Sequence, residues 1–269
     1  MAINATSLDT LCAALCAVMG VEPPANAAPA CGELVEYARG AFKGEKADRI
    51  FMYNPDAIAQ WIYEKYPQLM KEAIERTDLA LPLCSVMPSV TPVAFGTMYT
   101  GAQPAVHGIQ AYVKPVIKID TIFDALIRAG KKCAIVSTAN DSLSEIFLER
   151  EMDYFIYDTV EEVNAKAVEL IIEDKYDFMV VYNKLYDAKM HKVGPEGLEA
   201  LSELRSNSED FAMFDVLIQK HWKCHNTLLG FAMDHGCHLV NEDSGSHGLD
   251  MPEDMNIVHL YKAHPAKEI

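Results

Sequence analysis

Positive charge is scarce in this chain of 269 residues: 23 lysines and arginines stand against 39 aspartates and glutamates, and the formal net charge at pH 7 is −16. Such a chain repels phosphate backbones and anionic lipid, so we expect neither a nucleic-acid polymer nor a membrane as its partner. Because the basic residues are also scattered along the sequence, an anionic ligand would need another source of positive charge, such as a bound metal ion.

Long apolar runs and paired cysteine motifs are lacking too. No apolar run reaches the roughly eighteen residues of a membrane span. The first twenty residues are apolar, but they contain Asp9 and no lysine or arginine, which is unlike a signal peptide. The seven cysteines show no CxxC spacing, and the simplest interpretation is a reducing, cytoplasmic compartment.

Short apolar segments alternate with amphipathic ones along most of the chain. This alternation predicts an α/β fold with three layers, α/β/α, around a largely parallel central sheet. We expect a helical N-terminal extension over residues 1–47 and the main domain over residues 48–269. The predicted strands cover residues 49–53, 131–137, 153–158, 177–183, 228–234 and 256–261. The predicted helices cover residues 8–19 with Ser7 as N-cap, 33–42, 57–74, 121–129, 160–173 and 199–223.

Carboxylates and imidazoles follow three of the predicted strands. In open α/β sheets the ligand site lies beyond the carboxyl ends of the strands, so side chains at those ends can meet. Mixed oxygen and nitrogen donors suit zinc, manganese or iron. The candidate ligands are Asp56, Asp187, His191, Asp234, His235 and, in a turn just downstream, His247.

A segment rich in hydroxyl groups runs from Cys84 to Ile109. Pro92 directly after Thr91 suits the first turn of a helix, where its missing N–H costs nothing. Thr91 would then lie at a helix N-terminus, whose dipole favours an anion. Next to a metal ion, a hydroxyl in that position can lose its proton and act as a nucleophile. The alternative is that Thr91 is simply an N-cap.

Four strings resemble motifs of the alkaline phosphatase superfamily, in particular of its nucleotide pyrophosphatase/phosphodiesterase-like branch. SVTPVAFGTMYTGAQPAVHGI is similar to the branch's nucleophile segment, and YDAKMHKVGP to its Asp, His, Gly-Pro motif. AMDHGCH resembles the Asp-His-Gly motif, and SHGLDMPEDMNI the closing His-Gly turn and last strand. The motifs follow the family's order and span residues 49–261.

The resemblance implies an alkaline-phosphatase-like catalytic domain over residues 48–269, with two divalent metal ions: zinc first, manganese or iron as alternatives. It implies hydrolysis of a small-molecule phosphoester through a phospho-threonine at Thr91. Asp48 is the alternative to Asp56, but it precedes the strand and would lie at the wrong end. One ion would be surrounded by Asp56, Thr91, Asp234 and His235, the other by Asp187, His191 and His247.

The sequence also departs from the branch. Its nucleotide-cleaving members place an asparagine shortly after His-Gly-Ile, whereas this chain reads QAYVKP, with Tyr112 and Lys114 as candidate substrate-binding residues. Nucleotide specificity is therefore left open. Cys84 lacks the C-x-P-x-R context of the sulfatases. A phosphomutase or sulfatase-type member of the superfamily and a metal-containing, non-catalytic regulatory homologue are the alternatives, and a homo-oligomer is left open.

Overall fold

A seven-stranded sheet forms the centre of the fold. The structure is a computed structural model that describes residues 2–267. The strand order is β2-β9-β6-β1-β5-β3-β4, and all neighbouring strands are parallel except at β9, which is antiparallel to both β2 and β6. A separate hairpin pairs β7 with β8. The strands are β1 Arg49–Pro55, β2 Leu79–Cys84, β3 Cys133–Thr138, β4 Asp153–Tyr157, β5 Phe178–Asn183, β6 Thr227–Phe231, β7 His238–Asn241, β8 Ser244–Ser246 and β9 Asn256–His264.

The largely parallel sheet predicted from the sequence is confirmed. Strands β1, β5 and β6 are buried along their whole length, as expected for apolar strands that helices cover on both faces. Strand β2 was not predicted, because it is short and contains Pro82. Its position at the edge of the sheet explains how the proline is tolerated, since an edge strand has unpaired N–H positions. The β7–β8 hairpin was not predicted either.

The helices that pack together form two sets, and β3 contacts members of both. One set contains α1, α2, α5, α6, α7 and α8, and the other α4, α9, α10 and α11. The helices are α1 Thr10–Met19, α2 Gly32–Ala41, α3 Gln60–Lys65, α4 Lys71–Glu75, α5 Thr91–Thr100, α6 Pro104–His107, α7 Ile122–Arg128, α8 Ser142–Ile146, α9 Val160–Glu173, α10 Leu185–Val193, α11 Leu198–His221 and α12 Pro252–Met255. This is the α/β architecture expected of an alkaline-phosphatase-like domain.

Two local predictions were wrong. The helix expected over residues 57–74 is divided into α3 and α4, because Pro67 disfavours helical backbone at Tyr66, where α3 ends. Ser7 is not the N-cap of α1: Asp9 occupies that position, and Ser7 pairs with Cys84 at the end of β2 in an isolated bridge.

The N-terminal helices pack into the same apolar core as the sheet. Leu11 and Leu15 of α1 are fully buried there, and α1 contacts α5 and α7. The N–H of Leu8 donates to the carbonyl of Cys84 at 2.9 Å. The division of the chain at residue 47 stays a prediction. Among the helices of residues 2–267, none is long and apolar enough to cross a membrane.

Candidate metal centre

Six side chains lie in two groups at the carboxyl ends of β6, β1 and β5, which are neighbours in the sheet. Within each group, the potential ligand atoms all lie within 4.8 Å of one another. The first group is fully buried, whereas the second reaches the surface. The first consists of Asp56, Asp234 and His235, and the second of Asp187, His191 and His247.

Thr91 lies beside the first group. It is the first residue of α5, with Val90 as N-cap and Pro92 following it. Its Oγ1 is 3.3 Å from Oδ2 of Asp56 and 3.3 Å from Nε2 of His235. The hydroxyl that the sequence singled out therefore faces two of the candidate ligands from a helix N-terminus.

The second group is built around Oδ1 of Asp187. Nε2 of His191 lies 3.1 Å from this oxygen, and Nε2 of His247 lies 3.4 Å from it. The two Nε2 atoms are 3.2 Å apart. The ring of His247 is also close to that of His235, with 4.1 Å between the centroids, so the two groups are adjacent.

Backbone carbonyls fix the tautomer of all three histidines. Nδ1 contacts the carbonyl oxygen of Gly245 at 3.0 Å in His191, of Ser89 at 3.0 Å in His247, and of Gly236 at 2.9 Å in His235. Since a carbonyl only accepts, Nδ1 must donate, and in the neutral ring Nε2 then carries the free lone pair. Two such lone pairs 3.2 Å apart repel each other unless a proton or a cation lies between them.

Each of the three carboxylates also has one oxygen without a hydrogen-bond partner. These buried atoms are Asp56 Oδ1, Asp187 Oδ1 and Asp234 Oδ2. They are the same oxygens that lie 3.1–3.4 Å from the histidine Nε2 atoms. An unpaired buried carboxylate oxygen is costly. The unpaired oxygens and the free lone pairs converge, which fits two divalent cations with Asp and His ligands.

Burial makes the charged forms of these residues costly, which favours a cation beside them. Burial, with the charges of Asp234 and Asp187 added, raises the pKa of Asp56 well above its usual range. Burial raises the pKa of Asp234 to about 7 and lowers that of His235 to about 3. Burial would also raise the pKa of Asp187, but the adjacent imidazoles of His191 and His247 outweigh burial and hold that pKa below its usual value.

Neighbouring groups orient the buried carboxylates. The Tyr182 hydroxyl donates to Oδ2 of Asp56, and the N–H of Ala57 donates to Oδ1 of Asp234 at 3.1 Å. The Ser85 hydroxyl donates to the carbonyl of Asp234 at 2.7 Å. Tyr182 was not predicted as a functional residue, because it lies within an apolar strand and reads there as a core aromatic.

The remaining residues that the sequence proposed as ligands or substrate contacts do not belong to the two groups. Tyr112 is 60% exposed, and partial burial, with the charges of Asp56 and Asp187 added, raises its pKa. Nζ of Lys114 lies 5.5 Å from the centroid of the Tyr112 ring. Asp48, the alternative to Asp56, precedes β1 and accepts from the N–H of Asn226 at 2.8 Å, so it is not part of either group.

No family model and no curated protein matches this sequence. Solved structures are nevertheless similar to it. Murine ectonucleotide pyrophosphatase / phosphodiesterase 5 has a TM-score of 0.63 at 13% identity, covering 79% of this chain and 87% of that one. An inactive form of the same murine protein, in complex with AMP, has a TM-score of 0.59 at 16% identity, covering 72% of this chain and 59% of that one.

A phosphonoacetate hydrolase from Sinorhizobium meliloti 1021, in complex with phosphonoformate, is similar as well. Its TM-score is 0.55 at 22% identity, and the match covers 71% of this chain and 57% of that one. The chain thus spans less than two thirds of that structure and of the AMP complex. The chain therefore shares the fold of these pyrophosphatase / phosphodiesterase and phosphonoacetate hydrolase structures.

Proposed function

We propose that this chain is a dimetal-dependent hydrolase of small-molecule phosphoesters, with Thr91 as its nucleophile. One observation carries the proposal: three buried carboxylate oxygens without partners and three oriented Nε2 atoms converge in two adjacent groups. The names of the similar structures point the same way, since they are a pyrophosphatase / phosphodiesterase and a phosphonate hydrolase. Zinc is the first candidate metal, with manganese and iron as alternatives.

Asp56, Asp234 and His235, together with Thr91, would hold one ion, and Asp187, His191 and His247 the other. Bound divalent ions would supply Lewis acidity, lowering the pKa of the Thr91 hydroxyl and neutralising charge on a phosphoryl group. The protein itself would orient the nucleophilic oxygen. Thr91 Oγ1 lies at the N-terminus of α5, where free N–H groups and the helix dipole favour negative charge on that oxygen.

The reaction then proceeds in two displacements. The Thr91 oxygen attacks phosphorus in line with the leaving oxygen, and the bond between phosphorus and that oxygen breaks. This gives phospho-threonine and an alkoxide, which takes up a proton from solvent to become the free alcohol. Before the attack, the hydroxyl proton can pass to Oδ2 of Asp56, which lies 3.3 Å away. Water next attacks the phospho-threonine, releasing phosphate and restoring the Thr91 hydroxyl. Tyr112 and Lys114 would contact the part of the substrate that leaves.

We also propose a reducing, cytoplasmic setting. The seven cysteines are all free in the structure, and five of them are buried. Disulfides are rare in such compartments, where buried cysteines act as small apolar side chains.

The test combines metal content with hydrolysis. Protein purified without chelator should carry about two zinc, manganese or iron ions per chain, measured by mass spectrometry. It should hydrolyse p-nitrophenyl phosphate or bis-p-nitrophenyl phosphate. Thr91→Ala should lower kcat at least about a thousandfold, because it removes the nucleophile. Thr100→Ala is the matched control, since its hydroxyl donates to the carbonyl of Gly96 within the same helix.

Three results would contradict parts of the proposal. Equal activity of the wild type and Thr91→Ala would exclude Thr91 as nucleophile. A protein that binds two metal ions but hydrolyses neither ester would be the regulatory homologue instead. A metal-free protein that takes up neither zinc nor manganese would overturn the metal centre itself.

A further inference from the structure

A buried carboxylate outside the two metal groups has a hydrogen-bond partner on each oxygen. Asp254, in the short helix α12, has no exposed surface. Nδ1 of His238, at the start of β7, lies 2.7 Å from its Oδ1, and the N–H of Leu249 donates to its Oδ2 at 2.8 Å. Because a carboxylate only accepts, Nδ1 of His238 is the donor. Asp254 thus differs from the three candidate carboxylate ligands, which each leave one oxygen unpaired.

Asp254 contacts the backbone beside a candidate ligand of each metal group. Its carbonyl accepts from the N–H of Gly236 at 2.7 Å, and Gly236 directly follows His235 of the first group. Its side chain accepts from the N–H of Leu249, which lies two residues after His247 of the second group. One residue therefore links the loop of the first group to the turn of the second.

The packing around this link leaves little room for adjustment. A Cβ at position 236 would lie 2.1 Å from the carbonyl oxygen of Glu253 and 3.0 Å from Cβ of Ala59. Because the first of these contacts is with backbone, no side-chain rotation would relieve it. At the other end of α12, the carbonyl of Met255 accepts from the N–H of Ser85 at 2.7 Å. Helix α12 is thus held in direct contact with the loop of the first group.

We propose that Asp254 and His238 are positioning residues that set the spacing between the two metal groups. His238 keeps the carboxylate of Asp254 turned so that its other oxygen holds the turn of His247 against the loop of His235. The inference rests on the proposed function, since both groups must hold metal ions. Two ions can act on one phosphoryl group only at a suitable separation. The second group depends on the link more than the first, because it reaches the surface whereas the first is fully buried.

The experiment measures the affinity of each metal ion without turnover. Competition for zinc between the metal-free protein and a colorimetric chelator gives two dissociation constants. Asp234→Asn and Asp187→Asn, which each weaken one ligand, assign these constants to the first and the second group. His238→Phe keeps a ring but removes the donor to Asp254. It should raise the dissociation constant of the second group about tenfold or more, as for other residues that orient ligands from outside, and leave that of the first group unchanged.

Further variants separate the hydrogen bond from a general loss of stability. His238→Leu, which also lacks the donor, should repeat the result of His238→Phe. His238→Asn should restore the wild-type constants, because its amide N–H can donate to Asp254 in place of Nδ1.

His264→Phe is the matched control. His264 pairs with Asp215 at 2.6 Å, but it lies at the opposite edge of the sheet, where it is the register partner of Thr227 at the start of β6. This variant should lower the free energy of unfolding of the metal-free protein, measured with urea, and leave both dissociation constants unchanged.

Every other outcome is decisive as well. If the wild type binds two zinc ions and His238→Phe keeps both constants, the positioning role is wrong and the metal centre stands. The role is also wrong if both constants rise together, if His264→Phe raises them as much, or if His238→Asn restores neither. If the wild type takes up neither zinc nor manganese, the proposed function falls and the positioning role falls with it.

Discussion

Single buried residues position the candidate ligands by forming hydrogen bonds with the backbone next to them. His259 is an example outside the two metal groups. It is fully buried on β9, its Nε2 donates to the carbonyl of Met233 at 2.6 Å, and its Nδ1 faces the hydroxyl of Tyr261 at 3.1 Å. Met233 immediately precedes Asp234, so this hydrogen bond fixes the start of the loop that carries two candidate ligands.

The buried ring of His259 makes stability depend on pH. Burial lowers its pKa to about 4, whereas the usual value is 6.5. The unfolded chain therefore binds more protons, and this stabilisation, complete above pH 6.5, is lost as the pH falls towards 4. Between pH 7 and pH 5 the loss is about 2 kcal/mol. His259→Gln, which keeps a donor for Met233, should reduce the fall in the free energy of unfolding by that amount, measured with urea at both pH values. An unchanged difference between the two pH values would contradict the prediction.

At the scale of elements, the packing of hairpin strand β8 against helix α10 positions the second group of candidate ligands. The hairpin strand β8 packs on α10, and the carbonyl of Gly245 in β8 accepts from Nδ1 of His191. A Cβ at position 245 would collide with Sδ of Met190 and lie 2.8 Å from Cδ of Pro195. Glycine suits this position because a Cβ would force the Met190 side chain and the Pro195 ring to move.

Gly245→Ala should push the hairpin away from α10. We expect a loss of about 1–3 kcal/mol in the free energy of unfolding, as for an overpacked core site. We also expect weaker binding of the second metal ion, because His191 loses its orienting carbonyl. Gly32→Ala is the control, since a Cβ there would meet no atom within 4 Å. Two tightly bound ions per chain in Gly245→Ala, at wild-type stability, would show that the contact is not needed.

The whole molecule concentrates negative charge at one edge of its sheet. Three carboxylates, Asp56, Asp187 and Asp234, converge there in a chain whose net charge is already −16. Burial and mutual repulsion favour the protonated forms of Asp56 and Asp234. Because salt in solution screens buried charges only weakly, the repulsion between the charged forms persists at high ionic strength. A cation bound between the carboxylates removes this repulsion. Because the ligands converge only in the folded chain, the cation binds only that form.

Metal binding should therefore stabilise the entire fold. Zinc or manganese at about a hundred times the dissociation constant of a site should add about 2.7 kcal/mol to the free energy of unfolding for each bound ion, which raises Tm by roughly 5–10 °C per ion for a domain of this size. Differential scanning calorimetry of chelator-treated protein with and without metal measures the shift. Sodium chloride at equal ionic strength is the control, and an equal shift with that salt would mean that the metal acts only by screening.

Much of the strand order along the chain and most of the candidate ligands could be predicted from the sequence, because apolar runs and the residues that follow them are local patterns. Apolar runs mark six of the seven strands of the main sheet, and acidic and imidazole residues follow three of them. Other features have no local signal. Tyr182 has the appearance of an ordinary core residue, and its role exists only because Asp56 ends the neighbouring strand, β1. The antiparallel direction of β9 likewise depends on how the chain returns to the sheet.

The sequence by itself determined the strand pattern, the chemistry of the candidate ligands and the threonine before Pro92, since periodicity and residue type are properties of neighbouring positions. Tertiary structure alone decided which groups meet. It brings His247 to Asp187, turns three Nε2 atoms inward through backbone carbonyls, and pairs Lys184 with Asp141. These contacts join positions far apart in the chain, and only the packing of the sheet, the helices and the hairpin brings them within a few ångströms.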